Sequence, residues 1–336
     1  MAYGIRKLSK VQIGREAAAG TAVAATEIWR GEAQIPEDQR TRVFVEEDLG
    51  LRDPYHRFYD AAYLAQLNMP STPATFEQLV HIFEAGIDTI AGVQDGAGTD
   101  YVYAYQLNAA ANDPKLYTIE GGDNSDAVEM EYSFVTQFVL GGRVDEALKL
   151  ESATWIGRQV LDSTFTGSLT PIAVEEILFN EFQLYVDATG GTIGSTEKAG
   201  TLLGFRLTVE TGWQPVRGAD GNLYFNAIKN VGATAELELT FEHDATAVAE
   251  RDFMRSGAVR LVRLTAEGTA VTTAGTTYSN KTFLIDFEGV WKPESFRTLS
   301  DENGDNIVTG TLRHGRDVET DNIGVQLTVV NERASV

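Results

Sequence analysis

One loop near the C-terminal end carries the residues best suited to bind a cation. Asp301, Asn303 and Asp305 have the alternating spacing of the first ligands in a calcium-binding loop. The sixth position, however, is Asn306 rather than glycine, and the twelfth is Leu312, whose side chain has no oxygen. Aspartate and asparagine beside a glycine are also the residues that a tight hairpin turn requires. The pattern therefore predicts a turn and no metal site.

The other residues capable of catalysis have unsuitable spacing. The histidines are scattered, and none has the helical i, i+4 partner of a zinc site: His56, His81, His243 and His314. Two acidic pairs, Glu46–Glu47 and Glu175–Glu176, have the residue types of a glycosidase, but 49 acidic residues make such neighbours common. The glycines at 190, 191 and 194 lack the lysine and the helix of a phosphate-binding loop. We therefore expect no catalytic residue, no cofactor and no enzyme activity.

Strand patterns occupy most of the chain. Apolar and polar residues alternate with a period of two in five segments, at 128–134, 182–186, 203–209, 235–241 and 325–329. The 32 glycines separate these runs in the manner of hairpin connections. One face of each strand is polar, which favours antiparallel sheets with one solvated face. The fold class predicted from these patterns is mainly β.

Three segments have the periodicity or boundaries of helices. Apolar residues at i, i+3, i+4 and i+7 predict a helix over 75–85, ended by Gly86. A second helix is predicted over 244–256, with an aspartate cap at its start and Gly257 at its end. A third was considered over 60–67, before a proline.

The order of these elements suggests that one architecture occurs twice. Each half has strands, one helix ended by glycine, a strand with two phenylalanines four residues apart (Phe134 and Phe138; Phe283 and Phe287), and a strand with a basic end (153–158; 307–313). The first half contains a longer excursion, around 92–124. A Ser/Thr/Gly/Pro stretch at 163–171 separates the halves. We therefore predict two domains, residues 1–165 and 172–336.

The composition excludes several classes of protein. The 27 basic and 49 acidic residues give a net charge of −22, whereas proteins that hold nucleic acid concentrate Lys and Arg. An acidic wall would instead let DNA pass without adhering. There is no cysteine, so no disulfide or thiolate metal site can form. No apolar run is long enough to span a bilayer, so we expect no membrane contact and assembly in a cytoplasm.

The N-terminal segment 10–29, KVQIGREAAAGTAVAATEIW, has no residues capable of catalysis and is typical of an extended arm. Its stretches 14–16 and 20–26 resemble the N-terminus of the tail tube (major tail) proteins of long, non-contractile-tailed bacteriophages. The resemblance implies an arm that contacts an adjacent ring of subunits through six residues: Val11, Ile13, Gly20, Thr21, Val23 and Thr26.

Further expectations follow from this resemblance. It implies two tandem β-sandwich or barrel modules, each with one flanking helix, in a structural virion protein of the phage tail. Copies of the chain would form stacked rings, with trimeric pseudo-hexameric rings favoured over hexamers. The resulting tube would hold a tape-measure protein and conduct DNA during ejection. A chain without residues 1–26 would fold but form no long tubes.

A binding protein is the alternative class. Two β-sandwich domains could recognise carbohydrate on a cell or virion surface through exposed aromatic side chains. The best candidate patch for this role is Trp213 with Tyr224 and Phe225.

Overall fold

The computed structural model describes residues 3–32, 34–107, 109–302 and 304–335. Strands contain 49% of the residues and helices 8%, so the fold is mainly β with large antiparallel sheets, as the alternating patterns predicted. The first half contains β1 (Lys10–Arg15), β2 (Glu27–Ile28), β3 (Glu37–Glu46), β4 (Tyr55–Met69), β5 (Thr72–Pro73), α1 (Leu79–Gly86), β6 (Val93–Gln94), β7 (Tyr101–Gln106), β8 (Tyr117–Gly122), β9 (Ala127–Arg143), β10 (Lys149–Gly157) and β11 (Val160–Ser163).

The second half contains β12 (Phe182–Ala188), β13 (Leu202–Glu210), β14 (Trp213–Val216), β15 (Ala227–Asn230), β16 (Thr234–Glu242), α2 (Ala245–Ser256), β17 (Val259–Ala270), β18 (Asn280–Trp291), β19 (Arg297–Glu302), β20 (Asp305–His314) and β21 (Val325–Asn331). Two 3₁₀ turns precede β1 and β12, at Arg6–Leu8 and Phe179–Glu181.

Eight strands form one antiparallel sheet that crosses both halves, which we call the main sheet. Its order is β3–β4–β10–β9–β13–β16–β20–β19. One face of this sheet is apolar and packs on α1 and on two further sheets. These are β2–β1–β8–β9–β11 in the first half and β12–β17–β18–β21–β7–β6 in the second. A single cluster of buried side chains contains residues of both halves.

The two halves repeat the same strand order and pairing. Elements β1, β3, β4, α1, β8, β10 and β11 correspond in sequence order to β12, β13, β16, α2, β17, β20 and β21. In each half a long strand changes sheets midway: β9 leaves β11 for β10 after Met130, and β18 leaves β21 for β20 after Phe287. The counterpart of the C-terminal part of β9 is β19, because Pro293 has no N–H for the ladder and interrupts the strand.

The repeat differs from the predicted one in a detail. Phe134 and Phe138 belong to the part of β9 that pairs with β10, whereas Phe283 and Phe287 belong to the part of β18 that pairs with β21. The two aromatic pairs are therefore not equivalent, although all four side chains are buried. The excursion in the first half contains β6 and β7, which extend the sheet of the second half beside β21.

Two of the three predicted helices form. In α1, which begins later than predicted, Thr75 Oγ1 accepts a hydrogen bond from Gln78 N. In α2, the Asp244 side chain accepts from Ala247 N, and Gly257 ends the helix with φ of 68°. The third prediction, over 60–67, was wrong because this segment belongs to β4 and pairs with β3 and β10.

The predicted turn near residue 303 is confirmed by the pairing of Glu302 with Asp305 across the β19–β20 hairpin. Asn303 itself lies outside the described residues.

The domain boundaries at residues 165 and 172 stay a prediction.

Candidate functional site: sheet edges and the N-terminal segment

Two of the acidic side chains with catalytic potential, Glu47 and Glu175, have structural partners. Glu175 accepts hydrogen bonds from Thr269 N and Oγ1, and it lies 3.0 Å from Lys281 Nζ. Lys281 also pairs with Glu77, so these charges connect the first half to the second. Glu47 pairs with Arg57 at 3.1 Å. Among the described residues, no three His, Asp or Glu side chains converge in a way that could hold a metal ion.

A shallow groove of about 300 Å³ crosses the solvated face of the main sheet where β9 meets β13. Arg206 lies in this groove, and its Nε donates to Glu151 Oε2 at 2.8 Å. The neighbouring Glu210 accepts a hydrogen bond from Gln137. Arg206 and Glu151, two of the charged groups of the groove, are thus paired with each other. The described helices include none that is long and apolar enough to cross a membrane.

The N-terminal segment lies on its own chain. β1 pairs with β8 on one side and with β2 on the other, and Val11 and Ile13 are 2% and 1% exposed. Gly20 N donates to Glu16 Oε2, and Val23 N donates to Thr118 Oγ1. Of the six residues assigned to the arm, Thr21 and Thr26 are exposed, Gly20 and Val23 are half-buried, and Val11 and Ile13 are in the core.

Buried carboxylates fix this segment. Glu16 accepts from Gly20 N, Thr118 Oγ1 and Tyr132 N, and burial raises its pKa despite these hydrogen bonds. Glu120 accepts from Thr166 N and Oγ1 and from Ala25 N. The predicted linker therefore packs against the segment rather than running free.

A second buried network connects the segment to the C-terminal end. Glu27 Oε2 lies 2.7 Å from Arg333 Nη2, and its Oε1 lies 3.3 Å from His81 Nε2. One turn further along α1, Glu84 pairs with Arg15 and accepts from Tyr117 OH, which also lies 3.1 Å from His81 Nδ1. Nothing in the local sequence reveals this network, since its members are far apart in the chain.

Acid is expected to weaken the attachment of the segment through Glu27. Burial alone would raise the pKa of this carboxyl, but His81 and Arg333 outweigh it and lower the pKa below its ordinary 4.5. The stability contributed by ionised Glu27 is thus present above pH 4.5 and is lost as the pH falls through the lowered, folded-state value. We expect Glu27→Gln to reduce the free energy of unfolding near neutral pH and to differ less from the wild type in acid. Urea unfolding across this range measures the difference, and a constant gap at all pH values would contradict it.

The aromatic patch considered for carbohydrate binding is not a surface patch. Trp213 is 8% exposed and Phe225 is fully buried, while Tyr224 is half-buried. These residues belong to the β14–β15 ribbon, a two-stranded hairpin in the connection between β13 and β16. The ribbon covers Phe134 of the first half, and Trp213 Nε1 donates to the carbonyl of Gly86 at 3.0 Å.

The halves are joined edge to edge by the pairing of β9 with β13. Seven residue pairs form this junction, and at its centre Leu207 lies opposite Leu140, with both side chains fully buried. The junction therefore combines ladder hydrogen bonds with apolar burial.

Among the residues that the structure describes, the outer edges of the main sheet are formed by the corresponding strands without a strand partner. In the described part of the chain, β19 pairs on one side only, with β20. At the opposite edge, β3 follows β4 up to Glu37 opposite Gln66, and the chain before it continues beside β5. Gly31 lies against Thr72 of β5 there, so close that a side chain on residue 31 would contact Thr72 Oγ1.

These two edges correspond to the two strands of the junction. By their place in the repeat, β3 corresponds to β13 and β19 corresponds to the C-terminal part of β9. Ile35 is 51% exposed and Leu299 is 72% exposed. Sequence reasoning missed these edges because pairing partners that are distant in the chain leave no local pattern.

Comparison with models of known protein families gives no match, and no curated protein is significantly similar to this sequence. The basis for a functional conclusion is therefore the geometry of the chain, above all the two unpaired edges that match its internal junction.

Proposed function

We propose that this chain is a structural subunit that self-assembles head to tail into closed rings, and that the rings stack into a phage tail tube. The observation that carries the proposal is the match between the internal β9–β13 junction and the two outer edges of the main sheet. A contact between unlike surfaces forms a ring if its rotation divides the circle. Exposed sheet edges are a liability in a monomer but are used where a neighbour completes the sheet.

The ring size follows from the number of strands. Three copies of the eight-stranded main sheet would close 24 strands. At about 4.8 Å per strand, such a barrel has a backbone diameter of at least about 37 Å, and two copies give at least about 24 Å. After side chains are allowed for, the three-copy ring admits a DNA duplex at any strand tilt. Because each chain repeats one architecture twice, the trimer would have pseudo-sixfold symmetry.

The solvated face of the main sheet would line the channel. The other face carries α1 and the two further sheets, and in a closed barrel this thicker layer belongs on the outside, where the circumference is larger. The inner wall would then present polar side chains such as Thr154, Thr208, Glu210, Glu238 and Thr240. A wall of this kind lets DNA and an elongated tape-measure protein pass without tight binding.

Contact between rings is assigned to a smaller part of the N-terminal segment than the resemblance implies. Val11 and Ile13 are core residues of their own chain, so only the exposed stretch around Thr21 remains available. The virion is the proposed location, after assembly in the host cytoplasm.

Disulfide cross-linking tests the ring contact, because the chain contains no cysteine of its own. We expect Ile35→Cys combined with Leu299→Cys to link copies when oxidised, since the ring contact would bring the edge at β3 of one copy beside β19 of the next. The products on a non-reducing gel should end at three chains. A matched control is Ile35→Cys with Val318→Cys, because Val318 is 71% exposed but lies outside the main sheet.

Two outcomes would contradict the proposal. If no linked species form at any protein concentration and negative-stain electron microscopy shows neither rings nor tubes, the self-assembly proposal fails. If the products end at six chains, the ring is a hexamer and the trimeric arrangement is wrong.

A further inference from the structure

The β3–β4 hairpin extends beyond the rest of the molecule. Within residues 37–64, all of which the structure describes, no side chain is buried. Phe44 lies near Tyr55 and Phe58, with ring centroids 6.2 and 6.1 Å apart, and these three side chains are 58%, 53% and 63% exposed. An exposed aromatic cluster of this kind marks an interaction surface.

The second half has a counterpart of this extension that is not exposed. By the correspondence between halves, residues 38–64 match the connection 211–233, which contains the β14–β15 ribbon. The ribbon folds back across the first half, where Trp213 contacts the end of α1 and Phe225 packs on Tyr132 and Phe134. The connection 211–233 thus docks on the first half of its own chain. The corresponding connection 38–64 has no such docking surface within the described part of its own chain.

We propose that residues 38–64 of one copy dock on the second half of the next copy in the same ring, across the C-terminal end of α2 and beside β19. The hairpin would then lie on α2 and β19 of the next copy as the β14–β15 ribbon lies on α1 and β9 of its own chain. This inference rests on the proposed ring and identifies a second copy as the occupant of the hairpin surface.

The chemistry of the two surfaces agrees with this placement. The receiving side carries two exposed apolar residues, Leu299 on β19 and Val248 in the first turn of α2. The last residues of α2, including Ser256, are exposed, and the negative end of a helix dipole favours cations. The hairpin brings Arg40 and Arg42 to the corresponding position, both exposed and paired within the hairpin with Asp38 and Asp60.

A cysteine pair locates the contact directly. Thr41 lies in the part of the hairpin that matches the start of the ribbon, where Trp213 contacts the end of α1, and Ser256 ends α2, so Thr41→Cys with Ser256→Cys should link copies on oxidation. We expect the linked species in isolated rings as well as in tubes. The matched control is Thr41→Cys with Thr170→Cys, because residue 170 is exposed in the connection between the halves.

A triple variant tests whether the cluster drives association. Phe44→Ser, Tyr55→Ser and Phe58→Ser together should leave the monomer folded, because none of these side chains is buried, as circular dichroism and thermal unfolding would verify. We expect the protein concentration needed for ring formation to rise at least about tenfold, since the burial of three aromatic side chains is lost.

The outcomes separate the hairpin contact from ring formation itself. If the wild type forms rings through Ile35 and Leu299 but the triple variant assembles equally well and Thr41 does not link to Ser256, the hairpin proposal is overturned while the ring stands. Linkage in tubes but not in isolated rings would also overturn it, because the hairpin would then contact another ring. If the wild type forms no rings and Ile35 does not link to Leu299, the proposed function fails first.

Discussion

Val11→Asp is expected to abolish folding. Val11 is 2% exposed, and its strand lies between β8 and β2, so an aspartate there would place a carboxylate in the main core. An unpaired charge in such a site costs several kcal/mol or forces the group to take up a proton. A loss of this size is comparable with the total stability of about 5–15 kcal/mol that is usual for a domain. Expression level, near-ultraviolet circular dichroism and a thermal scan measure the effect.

The control for this experiment lies in the same segment. Thr21 is exposed, so Thr21→Asp should leave the unfolding temperature within a few degrees of the wild type. A folded Val11→Asp protein with native stability would mean that β1 does not belong to the core of the chain in solution. It would then be free to act as the inter-ring arm that the sequence predicted.

The same burial changes how the N-terminal segment can be tested. A chain without residues 1–26 was expected to fold, but that deletion removes β1 and the carboxylate of Glu16 from the core. The absence of tubes from such a chain would report unfolding rather than a missing contact. Substitutions confined to the exposed residues near Thr21 separate the two effects.

Local patterns predicted those features of the fold that depend on neighbouring residues. The alternation over 203–209 and 235–241 identified β13 and β16, because half-buried strands impose a period of two. Asp244 and Gly257 identified the limits of α2, because caps use particular residue types at particular backbone angles.

The failures concern features set by distant parts of the chain. Residues 60–67 were considered helical because their pairing with β3 and β10 cannot be seen locally. Trp213 was considered for a carbohydrate-binding patch because its partner, Gly86, is 127 residues away and cannot be seen locally. The free sheet edges depend on the whole topology, so they could not be derived from any segment of sequence.

Arg260→Ala is expected to lower the free energy of unfolding more than any other substitution in the second half, apart from those that place a polar group in its apolar core. Arg260 donates to both oxygens of Glu250, at 2.7 and 3.0 Å, and both side chains are buried. Trp291 Nε1 donates to the same carboxylate at 3.1 Å, and the guanidinium lies 4.0 Å from the ring of Phe253. Loss of the cation leaves a buried carboxylate without a counter-charge, at a cost of about 3–5 kcal/mol.

A double variant distinguishes this cause from simple loss of contacts. Glu250→Gln with Arg260→Met removes both charges and retains an acceptor for Trp291, so it should recover much of the stability that Arg260→Ala loses. Denaturant unfolding of the wild type, the single variant and the double variant gives the comparison. A double variant as unstable as Arg260→Ala would show that packing against Phe253, rather than an unpaired charge, dominates. Because the pair attaches α2 to β17, a loosened α2 should also weaken ring formation, if the hairpin of a neighbouring copy docks there.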